Sequence, residues 1–316
     1  CNLEVLSLKD EHETLSQEAQ SLSELLSDEI LRKKRMVSDL RAEMKQFGDN
    51  RRTALVERAP AQKISQTIAI PKEPVTVLLS KKHWVRAAKG HDVDPQQATF
   101  KTGDALASSI KGYSHWPTIL FDEKGMAYTL PTHELPSGRS QGDPVTTMIS
   151  PSSPLTNHIL NAHPEQKILL ASDLGYGFVS DIQSLSSRNK SGKKALSLSD
   201  TKIADILPIS SSCTHVALAT QQGRLIIIPI ADIPSLSKGK GNKLVQIHKK
   251  DHADNTDLLA FMLPISTESP LVISSGKRFF KVAPKDLPTY TANRGQRGVL
   301  LPRGYRRVTA ISQPQD

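Results

Sequence analysis

The sequence predicts an all-β fold, a propeller-like disk of about five blades over residues 75–316, preceded by a helical, coiled-coil-type segment over residues 1–60 and a linker over 61–74. Three observations predict it. Helical periodicity is confined to roughly the first 47 residues, five strand–turn–strand units that resemble one another follow Val75, and glycines recur in the turns of those units about every fifty residues.

In the first segment, Leu15, Ala19, Leu22 and Leu26 keep one face of a helix. Ile30, Val37, Leu40, Met44 and Phe47 continue at helical spacing beyond Ser27-Asp28, a pair suited to capping a new helix. Charged residues fill the other positions, the pattern of an antiparallel or coiled-coil hairpin arm. Gly48 ends it. Ala59-Pro60, Pro71 and Pro74 then mark the linker, because proline disfavours helix at itself and at the residue before it.

The strand–turn–strand units cover residues 75–86, 118–128, 167–179, 216–228 and 271–282. Four carry a turn glycine: Gly125, Gly175, Gly223 and Gly276, at spacings of 50, 48 and 53 residues. That period suits a blade of about four strands repeated around an axis. A tight hairpin turn needs a positive φ, which a residue with Cβ resists. Units two to five share a second feature, a Leu or Ile followed by a basic, glycine-rich loop, at 135–142, 185–194, 233–243 and 287–298. The first unit is the outlier, with Lys89-Gly90 and Lys101-Thr102-Gly103 instead.

Composition narrows the function. Apolar residues make up 37% of the 316 but aromatics only 4%, which leans against a deep cofactor pocket. The two cysteines, Cys1 and Cys213, fit no metal or redox spacing, and no run of 18 apolar residues occurs, so a reducing cytosol is expected. With Cys1 in front and helix-like sequence from Asn2 to Leu8, the chain is expected to start inside a longer protein rather than at a processed lipoprotein terminus. The net charge of +9 divides unevenly. Residues 1–60 hold 10 basic against 12 acidic side chains, and residues 61–316 hold 31 against 20, so the excess lies wholly in the repeated segment. A polyanionic partner is expected there.

Glycine lets backbone amides approach a phosphate, and adjacent Lys or Arg neutralises it, so the repeated loops suit contact with a duplex backbone without base reading. Arranged around a disk they would form a positive rim able to hold DNA bent. The candidate phosphate contacts are Lys81, Lys82, Arg86, Arg139, Arg188, Lys190, Lys193, Lys194, Lys238, Lys240, Lys243, Arg278, Arg294 and Arg297. No segment shows a helix-turn-helix, zinc finger or stacking platform, so binding is expected to ignore base sequence.

Apparent enzyme motifs fail on context. Gly138-Arg-Ser-Gln-Gly142 matches G-x-S-x-G, but that elbow needs a helix after it, and Val145 to Ile149 reads as strand. Ser235-Leu-Ser-Lys238 lacks companion motifs. His158 with His163, and His248 with His252, lack further metal ligands and read as exposed loop residues. No phosphate-binding P-loop occurs, so no cofactor is expected in this chain.

Four segments carry a resemblance: the helical tail ending Phe47-Gly-Asp-Asn-Arg-Arg-Thr53, then Trp84-Val-Arg-Ala-Ala-Lys-Gly-His-Asp92, Ala171-Ser-Asp-Leu-Gly-Tyr-Gly-Phe-Val179 and Leu236-Ser-Lys-Gly-Lys-Gly-Asn-Lys243. In order and spacing they resemble the C-terminal region of the A subunits of bacterial type II topoisomerases, the gyrase A/topoisomerase IV A family, on its topoisomerase IV side. The resemblance covers nearly the whole chain. It implies a C-terminal β-pinwheel following the cleavage core and its coiled-coil arm. The gyrase heptapeptide Gln-Arg-Arg-Gly-Gly-Lys-Gly is absent. Its nearest pieces are Arg139-Ser-Gln-Gly142, Lys238-Gly-Lys-Gly241 and Arg294-Gly-Gln-Arg-Gly298, and with five units recognisable this implies decatenation and relaxation rather than supercoiling.

The family's cleavage tyrosine lies in the core, and none of Tyr113, Tyr128, Tyr176, Tyr290 or Tyr305 matches its surroundings. ATP and Mg2+ are implied for the B subunit. The implied partners are double-stranded DNA, the topoisomerase IV B subunit (ParE) and a second A subunit in a heterotetramer. The implied location is the bacterial cytoplasm at the nucleoid, with peripheral inner-membrane association as a further expectation. The competing readings are a gyrase-type wrapping domain and a propeller that binds an acidic protein.

Overall fold

The computed structural model describes residues 2–49 and 71–314. The chain divides into two compact units, residues 1–66 and 67–316. Residues 50–60 of the expected helical segment and 61–70 of the expected linker lie outside the described residues.

The first unit holds α1 (Asn2–Ser27) and α2 (Glu29–Phe47). Asp28 between them is extended, and its carboxylate accepts from the backbone N–H of Ile30 at 2.8 Å and of Leu31 at 3.3 Å. This is the N-cap that Ser27-Asp28 foretold. Among the described residues α1 and α2 do not fold back on one another. Reversal needs a loop of about two to five residues, and one residue separates α1 from α2, so Leu15, Leu22, Leu26, Ile30, Leu40 and Met44 all stay exposed.

The second unit is built from short strands. The first seven are β1 (Pro74–Ser80), β2 (Trp84–Lys89), β3 (Leu106–Tyr113), β4 (Pro117–Asp122), β5 (Met126–Pro131), β6 (Asp143–Pro144) and β7 (Leu155–Asn161). Then come β8 (Lys167–Ser172), β9 (Tyr176–Asp181), β10 (Lys193–Lys194), β11 (Ile203–Pro208), β12 (His215–Thr220), β13 (Arg224–Pro229) and β14 (Asn242–Lys243). The last are β15 (Leu259–Ile265), β16 (Leu271–Ser275), β17 (Arg278–Val282), β18 (Val299–Leu300) and β19 (Ala310–Ser312). Residues Val145–Thr147, read as strand from sequence, form a 3-10 turn instead. Pro144 precedes them, and Val145 and Ile149 are buried under the second blade's hairpin.

Five antiparallel sheets result, in the orders β3-β1-β2-β6, β7-β4-β5-β10, β11-β8-β9-β14, β15-β12-β13-β18 and β19-β16-β17. The five hairpins are the five units read from sequence. The fourth strand of each of the first four blades comes from further along the chain. After the hairpin of the next blade, the chain crosses back and adds a two-residue strand to the edge of the blade before. Consecutive blades meet along the opposite edges, β3, β7, β11, β15 and β19 in order. The two-residue strands therefore mark the outer perimeter.

The core explains why the hairpin strands read as nearly continuous apolar runs. Successive residues point to opposite faces of a strand, and both faces are covered by neighbouring blades. On β4, Leu120 packs with Val77 and Val85 of the first blade, while Ile119 and Phe121 pack with Ile168 and Phe178 of the third. Leu169 of the third blade meets Val216 and Ile226 of the fourth, and Ile227 of the fourth meets Ile273 of the fifth. No such apolar cluster joins the fifth sheet to the first among the described residues, and the sheets do not close into a packed ring. Phe279 on the outer edge of the fifth sheet is 67% exposed.

Candidate functional site

Hairpin turns begin from a polar residue that ends the first strand. Asp122 is fully buried and accepts from Lys124 N at 3.0 Å, Met126 N at 2.9 Å and Tyr128 Oη at 2.9 Å, which fixes the second blade's turn. Gly125, Gly175, Gly223 and Gly276 all take the positive φ that the repeat required. In the first blade, which lacks a turn glycine, His83 occupies that conformation with φ +56°.

The basic loops are the crossovers themselves. Ser137, Ser235 and Thr291 each make a parallel bridge to the second hairpin strand of the preceding blade, at Ala87, Val179 and Ile227. Each loop then ends in an edge strand on that blade. This gives many loop glycines a different task from the one read in sequence. A Cβ at Gly142 would press on Val85 O, at Gly241 on the backbone of Gly177, and at Gly298 on Leu225 O. They permit backbone to meet backbone across the crossover. At Gly239 a Cβ would meet nothing within 4 Å, although its backbone is engaged too, its N–H donating to Ala195 O and its carbonyl accepting from Ser197 N, each at 2.9 Å.

Ten of the fourteen sequence candidates sit on these crossovers: Arg139 on the first, Arg188, Lys190, Lys193 and Lys194 on the second, Lys238, Lys240 and Lys243 on the third, and Arg294 and Arg297 on the fourth. All are exposed except the half-buried Lys193 and Lys243. Among the described residues none of the ten forms an ion pair with a carboxylate. Lys194 Nζ instead donates to Lys124 O at 2.7 Å, and Lys243 Nζ to Gln246 Oε1 at 2.8 Å.

The other four lie elsewhere. Lys81 and Lys82 form the exposed β1–β2 turn, with Lys81 on the wall of a cavity of about 1090 Å³ shared with His83, Asp173 and His252. Arg278 opens β17 on the fifth blade. Arg86 is a correction. It is buried on β2, its guanidinium donates to Ser140 O and to Thr99 O at 2.6 Å, and it lies 5.0 Å from the Phe100 ring centroid. Burial pushes this guanidinium below its ordinary pKa. Arg86 ties the first crossover down and presents no charge to solvent.

Of the four histidines read as exposed loop residues, His163 and His248 are so placed, and His252 and His158 are not. His252 is largely buried and pairs with Asp173 at 2.9 Å, and His158 on β7 faces Asp205 on β11 at 3.8 Å. The Gly138 to Gly142 segment is a local turn, in which Ser140 Oγ donates to Ser137 O at 2.8 Å and accepts from Gly142 N at 3.1 Å.

Sequence reasoning missed cations too. Arg224, at the start of β13, donates to Gly298 O at 3.1 Å, and burial followed by the charge of Arg297 lowers its pKa. Arg303, Arg306 and Arg307 are exposed on the stretch between β18 and β19, where the Arg306 backbone packs over Gly223. The signal was present in Leu301-Pro-Arg-Gly-Tyr-Arg-Arg307, which repeats the Leu-Pro and Arg-Gly composition of the earlier loops.

Among the described residues no helix is long and apolar enough to cross a membrane. Residues 166–209 and 214–265 match the family model described as the DNA gyrase C-terminal domain, beta-propeller. The chain is 36% identical over 313 residues to the A subunit of DNA topoisomerase 4 from Escherichia coli strain K12, covering 98% of this chain and 41% of that protein. Its identity to the same protein of Haemophilus influenzae is 38% over 304 residues, covering 96% of this chain and 41% of that protein. It thus spans about two fifths of the length of these relatives. The solved E. coli ParC C-terminal domain superposes with a TM-score of 0.69 at 37% identity, covering 77% of this chain and 100% of that structure. Five repeated sheets with crossed-over edge strands, matched over the whole of that solved domain, place this chain in the family of C-terminal domains of topoisomerase IV and gyrase A subunits.

Proposed function

We propose that the outer perimeter of this disk receives duplex DNA through phosphate contacts, independently of base sequence, and holds it bent. The observation that carries the reading is the row of crossover loops. Each sets Lys or Arg side chains on the perimeter that form no ion pair with a carboxylate among the described residues, on four successive blades. The energy of several phosphate contacts must exceed a bending cost of a few kcal/mol, and an arc of contacts recovers that cost where a flat patch does not.

In the full protein the bent segment would be presented to the cleavage gate, so that this chain contributes no catalytic group and no cofactor. The gate, joined by a second A subunit in the heterotetramer and by ATP and Mg2+ on the B subunit, would carry out decatenation and relaxation during chromosome segregation, in the cytoplasm at the nucleoid. Absence of the gyrase heptapeptide supports this over supercoiling by tight wrapping.

The test is a gel shift with random-sequence duplex at two salt concentrations, for the chain and for the triple substitution K238E/K240E/K243E. Binding at low salt is expected, and the triple variant is expected to bind more weakly. The slope of log affinity against log salt should shrink by roughly 0.9 for each phosphate no longer held. Unchanged affinity and slope in the variant would sink the perimeter reading. No binding at low salt would favour an acidic protein partner instead.

A further inference from the structure

The first residue of the second hairpin strand holds one register position through four blades. Trp84 faces Pro144 of β6, Met126 faces Lys194 of β10, Tyr176 faces Lys243 of β14 and Arg224 faces Leu300 of β18. Two of these residues are aromatic, and both carry lysines. Lys101 Nζ lies 3.4 Å from the Trp84 ring centroid. At Tyr176, Lys240 Nζ lies 4.1 Å and Lys243 Nζ 5.7 Å from the ring centroid.

The Tyr176 arrangement is assembled from two hairpins. The ring stands on the third blade, and both lysines come from the crossover that follows the fourth blade's hairpin. Two ammonium groups on one ring repel each other, and something must hold them. A carboxylate would do so and cancel their charge. Here the partners are the electron-rich ring and, for Lys243, the neutral amide of Gln246 at 2.8 Å. A ring attracts a cation through its quadrupole and leaves the net charge in place. The same loop has open space at Gly239, between Lys238 and Lys240.

We propose that Tyr176, Lys240 and Lys243 form a binding site for a backbone phosphate of duplex DNA, with Tyr176 as the positioning residue that holds both ammonium groups. The proposal rests on the DNA-binding reading above and adds to it a residue that carries no charge. Tyr176 also packs against the apolar cluster between the third and fourth blades, so its loss has to be separated from a loss of folding.

The test uses the 316-residue chain as wild type, Y176F, Y176L, K240Q, K243Q and Y176L/K240Q. Anisotropy of a labelled random-sequence duplex is followed through a salt series, and each variant is checked by circular dichroism melting. Y176F keeps the ring and is expected to match wild type. K240Q should lower the salt slope by about 0.9, which is about eightfold in affinity at 0.1 M salt. Y176L should weaken binding at least as much, and the double variant should bind no more weakly than Y176L alone, because Tyr176 acts through Lys240. Wild-type affinity and slope in a folded Y176L, or additive effects in the double variant, would overturn the proposal. If Y176L does not fold, K240Q and K243Q decide, and unchanged slopes in both overturn it. Failure of wild type to bind duplex at low salt is a different result and removes the DNA-binding reading itself.

Discussion

The crossovers clasp each blade to the next, and their energetic weight is measurable from two glycines in equivalent turns. Gly175 has φ +81° and Gly276 has φ +61°, so alanine at either meets the left-handed penalty of about 1–2 kcal/mol. The unfolded-state gain from replacing glycine is the same at both sites and cancels between them. Their surroundings differ. A Cβ at Gly175 would lie 2.6 Å from Val245 O and 2.8 Å from Val245 Cγ1, on the segment that follows edge strand β14, while at Gly276 it would meet nothing within 4 Å. Among the described residues no further hairpin follows the fifth blade to supply a clasp. Forcing a methyl into a packed contact costs about 1–3 kcal/mol. G175A should therefore cost about 1–3 kcal/mol more than G276A, read as the difference in urea midpoints by far-ultraviolet circular dichroism. Equal midpoints would refute the clasp as a source of stability.

Four further outcomes follow from the same geometry. D122A leaves the buried Tyr128 hydroxyl without its acceptor, at roughly 1–3 kcal/mol, and frees the Lys124 and Met126 N–H groups of the turn; a melting temperature equal to wild type would contradict that role. R86Q frees Ser140 O and Thr99 O and should destabilise the disk while leaving the salt slope of DNA binding unchanged, whereas a reduced slope would return Arg86 to the contact surface. D28A removes the cap of α2 and should cost about 1 kcal/mol of helix stability, seen as lower helicity in an isolated peptide of residues 2–49. Burial holds His83, His115 and His158 below the ordinary histidine pKa, so as pH falls through about 6.5 the unfolded chain binds protons that the native chain refuses. Stability should then fall until the native groups protonate, and a urea midpoint unchanged between neutral pH and pH 5 would exclude this.

Most of the fold was legible because each blade repeats a local signal. The turn glycines and the flanking aliphatic runs report hairpins directly, since a positive φ and two-sided burial each leave a compositional trace at Gly175 or along β4. The crossover was not legible. A two-residue strand such as Lys193–Lys194 has no periodicity, and its partner, Met126–Ala127, lies more than sixty residues earlier. What covers the helical arm was not legible for a related reason. Apolar spacing along α1 and α2 shows that a face wants covering, not which segment covers it. Arg86 was misplaced because a one-letter pattern does not distinguish an arginine aimed outward from one folded onto Ser140 O and Thr99 O.

The crossover also changes what the Gly-Lys composition means. Read from sequence alone, both residue types had one cause, the approach of a phosphate. The structure separates them. Gly142, Gly241 and Gly298 are required where a crossover backbone lies against the preceding blade, a demand that exists with or without a ligand. The lysines and arginines between them make no ion pair among the described residues and stand outside the four apolar clusters, and only Lys194 and Lys243 of them hydrogen-bond through Nζ, to Lys124 O and Gln246 Oε1. Clasping fixes where each loop runs, and that route fixes where its cations stand. On the proposed function, the phosphate spacing of such a perimeter would be set by blade packing rather than by flexible arms, so a substitution that loosens a clasp should degrade DNA bending before it degrades DNA binding. G175A offers that comparison, with ring-closure efficiency of a short duplex read beside its affinity, and equal losses in both would show that the clasp does not set the curvature.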